Sequence, residues 1–231
     1  MAPGNPADIR AQAGPHVFVT DLESLELADD DRHHLEKSLR LRPGDPLTVS
    51  DGNGSWRTAS FGSNVEPTGP INVVDSPAYE IGLGIALTKA SKPEFAVQKA
   101  TELGLDTIIV FPGAHSVARW DETKIAKNEL RLAKVAREAS MQSRRVTIPQ
   151  VQVVAGLASI VESRNVARAD FVGIPTNVDH QFLVVGPEGG WSDEERSLVP
   201  EVVDLGKTVL RSETAAVVGA AFLARSRDQT V

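Results

Sequence analysis

At Ile81 the chain changes rhythm. From there on, short apolar runs alternate with amphipathic stretches of helical period. Ile81–Thr88, Thr107–Phe111, Ala169–Ile174, Phe182–Val185 and Val202–Leu205 read as strands. Residues 91–103, Lys124–Ser140, Ser192–Val199 and Ser212–Arg227 read as helices. Strand–helix alternation predicts a mostly parallel sheet with helices on both faces, an α/β fold. Before Ile81 the pattern differs. His16–Thr20, Pro46–Ser50, Ser55–Phe61 and Ile71–Val74 are short β-like runs, with Asn53-Gly54 as a hairpin signal. One helix, Asp29–Leu41, opens on three acids and is stopped by Pro43-Gly44. The reading is therefore two domains, a small β-rich one over 1–79 and an α/β one over 80–231.

The 231 residues, 41% of them hydrophobic, are enough to bury a core in each. No apolar run approaches 18 residues, so no membrane span is expected. MAPGNPADIR has no apolar signal core and reads as a loose leader, which makes a cytoplasmic protein the default. Cysteine is absent, which excludes disulfides, thiolate metal sites and cysteine nucleophiles. His33-His34 has no partners at ligand spacing, so no metal site is expected.

The most unusual local feature is "VVGPEGGWSDEE", residues 184–195. A buried-type strand stops at Gly186, a glycine loop follows, and a helix begins. Ser192 with Glu195 three residues on is a capping box, as Ser91 with Glu94 is at an earlier helix. Asp193, Glu194 and Glu195 fill the first turn with negative charge, which repels phosphate. The loop also lacks P-loop and dinucleotide spacing. Its glycines allow close approach to a neutral or cationic ligand; a tight turn without a ligand is the alternative. Trp191 and Trp56 read as packing residues.

Charge is uneven. Residues 89–145 hold 11 Lys/Arg against 7 Asp/Glu, a local net of +4 that leaves −11 for the rest of a chain totalling −7. On the helix at 124–140, Ile125, Leu132, Val135, Ala136 and Ala139 share one arc. Lys124, Lys127, Arg131, Lys134 and Arg137 share the opposite one, and Arg144 and Arg145 follow. A solvated face is the bland reading; an RNA-facing stripe in an otherwise acidic chain is the sharper one.

Five segments together carry a resemblance: "HHLEKSLRLRPGD" (33–45), "KPEFAVQKATELG" (92–104), "REASMQSRR" (137–145), "VGPEGGWSDEE" (185–195) and "LGKTVLRSETAAVVGAA" (205–221). They resemble the RsmE family, bacterial 16S ribosomal RNA uridine-N3 methyltransferases of the SPOUT superfamily. The resemblance implies a PUA-like RNA-binding β-barrel followed by a trefoil-knotted α/β domain, a homodimer, and S-adenosyl-L-methionine as cofactor. By position it assigns the cofactor to Gly186, Pro187, Glu188, Gly189 and Gly190, to Leu205, Gly206, Val209, Leu210 and Arg211, and to a third wall at Ile174 and Pro175. Lys92 and Lys99 are counted with the RNA-facing set. Thr208 stands where many members carry arginine or asparagine, Met141 where many carry glutamate, and Arg144 where many carry glycine.

The implied chemistry is attack by uracil N3 on a methyl carbon, which needs alignment and removal of the N3 proton. Arg211 is expected to stabilise charge spreading to O2 and O4, with a structural role beside Glu213 as its alternative. Glu188 and Glu213 are the candidate bases. A SPOUT enzyme acting on another RNA such as tRNA, and a non-catalytic RNA-binding module, remain the competing functions.

Overall fold

The computed structural model describes residues 8–88, 92–118, 120–175 and 179–229. Ser91 and the first seven residues, on which a capping box and the leader were read, lie outside them. The chain divides into two units. The first runs to Ser76 and takes in Ser140–Ile148; the second holds Pro77–Ala139 and everything from Pro149. The boundary expected near Tyr79 lies close to Ser76, and Ser140–Ile148, nine residues of the later half, group with the β-rich unit.

In the first unit, β1 (His16–Phe18) pairs parallel with β2 (Pro46–Ser50), and β2 pairs antiparallel with β3 (Ser55–Ser60). Two short strands, β4 (Glu66–Pro67) and β5 (Asn72–Val73), add to β3. The β2–β3 turn forms as its sequence demands: Asp51 Oδ1 accepts from the Asn53 and Ser55 amides at 2.7 and 3.0 Å. The single helix read over Asp29–Leu41 is shorter, α1 (Asp29–His33) widening into a π turn over His34–Ser38. Alternate residues of β2 and β3, Leu47, Val49 and Ala59, face a core with Val17, Leu25 and Leu35.

Residues 140–148 belong here by specific bonds. Ser50 Oγ donates to the Val146 carbonyl at 2.9 Å. His16 is buried, with Nε2 at 3.0 Å from the Arg145 carbonyl and Nδ1 at 3.0 Å from Thr48 Oγ1. A carbonyl only accepts, so Nε2 carries the proton and Nδ1 receives the threonine hydroxyl. Arg144 adopts a left-handed φ of 57°, and its guanidinium donates to the carbonyls of Ile9, Gln12 and Gly14. That left-handed φ is one that glycine adopts without strain. Met141 packs against the same unit's apolar core.

In the second unit six parallel strands form one sheet in the order β11-β9-β10-β6-β7-β8. They are β6 (Gly82–Ala86), β7 (Thr107–Phe111), β8 (Gln150–Val153), β9 (Ala167–Ile174), β10 (Phe182–Val185) and β11 (Val202–Val203). Every residue of β6, β7 and β10 is buried, as expected of a parallel sheet covered on both sides. One face packs on α2 (Lys92–Glu102), α3 (Glu122–Gln142) and α6 (Ser212–Asp228) through Val97, Leu132, Ala216 and Leu223. The other face, with Ile109 and Phe111, meets α4 (Leu157–Val161) and the ends of α5 (Asp193–Leu198) through Ile160, Trp191 and Val199. Gly104 ends α2 with φ 92°, the left-handed cap its sequence predicts. After β11, at the sheet edge, the chain crosses back so that α6 lies against β10, β6 and α2.

Candidate active site

The carboxyl end of a parallel strand is where an α/β sheet exposes loops and backbone groups to a ligand. Here β10 ends at Val185 and β11 at Val203, and the loops after both line one cleft of about 470 Å³. Gly186 to Gly190 form one wall, and Asp204 to Arg211, apart from Lys207, another. The members of both predicted loops are thus brought together.

The third wall is not the predicted one. Ile174 and Pro175 do not line the cleft; Ala169, Asp170 and Phe171 do. Ile174 is paired with Val203, and its carbonyl accepts from the Asp204 amide at 2.9 Å. The strand runs on past its ladder with β10, which ends at Ala169, so the cleft opens at mid-strand rather than at the strand end. Two interactions hold that segment. Trp191 Nε1 donates to the Ala169 carbonyl at 2.9 Å, and the Asp170 carboxylate is ion-paired to Arg196 and Arg168. Trp191 is a packing residue as read, stacked on Phe111 with ring centroids 6.4 Å apart.

The glycine loop is shaped by its neighbours. A Cβ on Gly186 would stand 2.9 Å from the Trp191 ring, and one on Gly189 2.8 Å from His115 Cβ. Those two glycines are required by packing against their neighbours, independently of any ligand. Gly190 has φ 74° and open space where a Cβ would be. The capping box of α5 is complete, with Ser192 Oγ accepting from the Glu195 amide at 3.2 Å and Glu195 Oε2 from the Ser192 amide at 2.9 Å. Glu195 also accepts from the Ala114 amide at 2.9 Å. Helix α6 begins at Ser212, but Ser212 is not its cap. Arg211 holds that position, and the Ser212 hydroxyl donates instead to the Gly186 carbonyl at 2.8 Å, joining the two loops.

The charged residues separate into two groups. Lys92 Nζ lies 2.7 Å from Glu188 Oε1 and 3.2 Å from Glu213 Oε2, so one ammonium joins both candidate bases. The hydrogen bond to Glu188, then that to Glu213, raises the Lys92 pKa. Lys92 therefore already has two carboxylate partners. Arg211 is exposed, and its guanidinium makes no hydrogen bond or ion pair among the described residues. It is the one Lys, Arg or His among the described residues lining the cleft, which also carries Asp170, Glu188 and Asp204.

The basic stripe of α3 is in place, with Lys124, Lys127, Arg131 and Lys134 exposed and Arg137 half-buried. Most of its charge has a partner: Lys124 with Asp121 at 3.2 Å, Arg131 with Glu94 at 2.7 Å, Lys134 with Glu138 at 4.0 Å. Lys99 pairs with Glu102 at 2.8 Å. Arg145 donates to Thr147 Oγ1 at 3.3 Å. Arg144, engaged by three carbonyls, leaves the RNA-facing set. His115, which joins the glycine loop, went unnoticed in the sequence because a lone histidine in a loop carries no pattern.

The class of this chain, an RNA methyltransferase domain with a PUA domain, is given by two family matches. Residues 75–224 match the RNA methyltransferase domain family, and residues 27–61 the RNA methyltransferase PUA domain family. The ribosomal RNA small subunit methyltransferase E of Mycobacterium tuberculosis is 31% identical over 216 residues, covering 82% of this chain and 81% of that protein. Its Bacillus subtilis counterpart is 24% identical over 225 residues, 85% of this chain and 88% of that one. A methyltransferase of Legionella pneumophila solved with bound cofactor SAM superposes with a TM-score of 0.82 at 25% identity, over 93% of this chain and 98% of that one. The chain belongs to the ribosomal RNA small subunit methyltransferase E family.

Proposed function

We propose that this chain methylates N3 of a specific uridine in the 16S RNA of the small ribosomal subunit, with S-adenosyl-L-methionine bound in the cleft between residues 186–190 and 204–211. The relatives' names and the SAM-bound Legionella structure support the reaction. The lining suits a sulfonium's charge: it holds Asp204, which has no ion pair among the described residues, while Asp170 is paired to Arg168 and Arg196 and Glu188 to Lys92. Gly186 to Gly190, with Leu205, Gly206, Val209, Leu210 and Arg211, are the residues to hold it. Bound there, S-adenosyl-L-methionine supplies an electrophilic methyl group.

The protein's part is to orient uracil and manage its N3 proton. As N3 loses the proton, negative charge spreads to O2 and O4, and a fixed cation there lowers the barrier. Arg211 suits that task because no carboxylate has claimed it; the observation that carries this reading is its unpaired guanidinium on the cleft wall. Glu188 and Glu213 remain the proposed proton acceptors, and Lys92 holds the glycine loop and the start of α6 at a common point. Lys127, Lys124, Arg131, Lys134 and Arg137 guide the RNA, with Lys99 and Arg145 beside them. The protein works in the cytoplasm as a homodimer, for which Phe171 and Val209, large apolar side chains exposed at the cleft, provide a surface to bury. The trefoil knot belongs to the same reading, supported by the return of α6 across the sheet after β11.

The test is single-turnover methylation of small subunits at saturating cofactor. Arg211→Ala should lose on the order of 10²–10³ in rate while keeping its fold, with Arg211→Lys between, since lysine keeps the charge but not the fork. A rate for Arg211→Ala within about threefold of the parent would return Arg211 to a structural role.

A further inference from the structure

The turn after β7, Gly113 to Ser116, follows the glycine loop from one end to the other. It is closed on itself: the Gly113 amide donates to Ser116 Oγ at 3.0 Å, and the Ser116 amide to the Gly113 carbonyl at 3.0 Å. From this frame three contacts reach the loop and its helix. A Cβ on Gly113 would stand 3.3 Å from the Pro187 ring, so the two backbones lie close. The Ala114 amide donates to Glu195 Oε1 at 2.9 Å. His115 Nδ1 lies 3.1 Å from the Gly189 carbonyl oxygen and 3.2 Å from that of Gly190.

Both acceptors at Nδ1 are carbonyls, and neither can donate. The proton must therefore sit on Nδ1, which makes the neutral ring the Nδ1–H tautomer with Nε2 left as an acceptor. One N–H shared between successive carbonyls fixes both peptide planes at once. Gly189 and Gly190 are the residues that most need fixing. Glycine has the widest choice of backbone conformations, Gly190 holds a positive φ, and both line the cleft.

We propose that His115 is a positioning residue for the cofactor loop: its Nδ1–H holds the Gly189 and Gly190 peptides in the orientation that S-adenosyl-L-methionine meets. The inference rests on the reading of the cleft as the cofactor site. His115 acts through the loop, so it governs cofactor affinity and leaves the chemical step alone. A loop held in its binding conformation before the ligand arrives binds more tightly than one ordered on arrival.

The experiment has two arms. In the cofactor-free parent, nitrogen NMR of the imidazole reads the tautomer of His115 directly, and the Nδ1–H form is expected. Calorimetry with S-adenosyl-L-methionine then compares the parent with His115→Ala and His115→Asn. The alanine variant should bind about tenfold more weakly, the scale of one missing hydrogen bond. The asparagine variant, whose side-chain amide can donate to these carbonyls, should recover most of that. At saturating cofactor the turnover of both should stay within about twofold of the parent. An Nε2–H ring, parental affinity in His115→Ala, or equal losses in the two variants each overturn the inference. Should the alanine variant fail to fold, the tautomer and the asparagine variant still decide. A parent that does not bind S-adenosyl-L-methionine strikes the cofactor reading instead, while the tautomer still judges the contact.

Discussion

Single residues set how this protein responds to acid. His16 is buried and neutral: burial, the largest cause, together with the nearby Arg144 charge, pushes its pKa down to about 4 against the hydrogen bonds to Arg145 and Thr48. In the unfolded chain the same ring titrates near ~6.5. Between those values the unfolded state holds the extra proton, so stability rises with pH there. The contribution of His16 is complete above about pH 6.5 and falls away as the pH drops toward 4, by on the order of 3 kcal/mol. Denaturant midpoints measured from pH 7 to pH 4.5 should show this acid limb, and His16→Gln, which cannot take up a proton, should flatten it. An equally steep limb in that variant would assign the loss to other groups. Gly189 offers a second test. Gly189→Val forces a branched side chain onto His115, so cofactor affinity should fall through displacement of the loop; calorimetry showing parental affinity would exclude that coupling.

Among the elements, α5 depends on one carboxylate. Glu195 completes the capping box and accepts from Ala114, and it is buried. Glu195→Ala leaves the Ser192 and Ala114 amides without their partner, a loss of about 1–3 kcal/mol that a thermal melt would report. An unchanged melting temperature would mean water replaces the carboxylate at no cost. Helix α3 gives the electrostatic test. Lys127 is the member of its stripe without a hydrogen-bond or ion-pair partner among the described residues, and the Lys134 pair is long. Lys127→Glu combined with Lys134→Glu should weaken RNA binding and flatten its salt dependence, by about 0.7–0.9 in slope for each phosphate left without its cation. The parental slope would make the stripe a solvated face. These same elements explain what could be read in advance. Periodicity located α3, and Ser192 with Glu195 located α5, because each signal is local to the element it builds. The interactions that define the cleft are not local. Ala169 to Phe171 form a wall because Trp191 and Arg196 hold them, and no spacing rule links residue 170 to residue 196. Strand β8, QVQV, shows the strand alternation over only four, mostly half-buried residues, the shortest run that carries the signal.

At the scale of the whole molecule, the first unit is assembled from two separate stretches of chain. Arg145 and Arg144 meet residues 129 and 135 positions earlier, His16 and Ile9. A reading along the sequence sees composition change at Tyr79 and has no means to see the return. Residues 1–79 made alone should therefore lack a cooperative thermal transition. Joining 140–148 to them through a flexible linker should restore it, since that segment brings Val146 to Trp56 and the arginine clamp to the Ile9–Gly14 carbonyls. Cooperative unfolding of the short fragment would show the return segment to be dispensable. The same discontinuity governs the order of events during synthesis. A chain leaves the ribosome from its N-terminus, and a domain that is continuous in sequence can fold before the next is made. Here β1, β2 and β3 emerge early, yet His16 and Ser50 must wait for Arg145 and Val146. By then β6, α2, β7 and α3 have already been translated. The first part of this protein to be made is thus not the first that can be finished, and its half-built sheet must stay soluble while more than sixty further residues are added after Ser76.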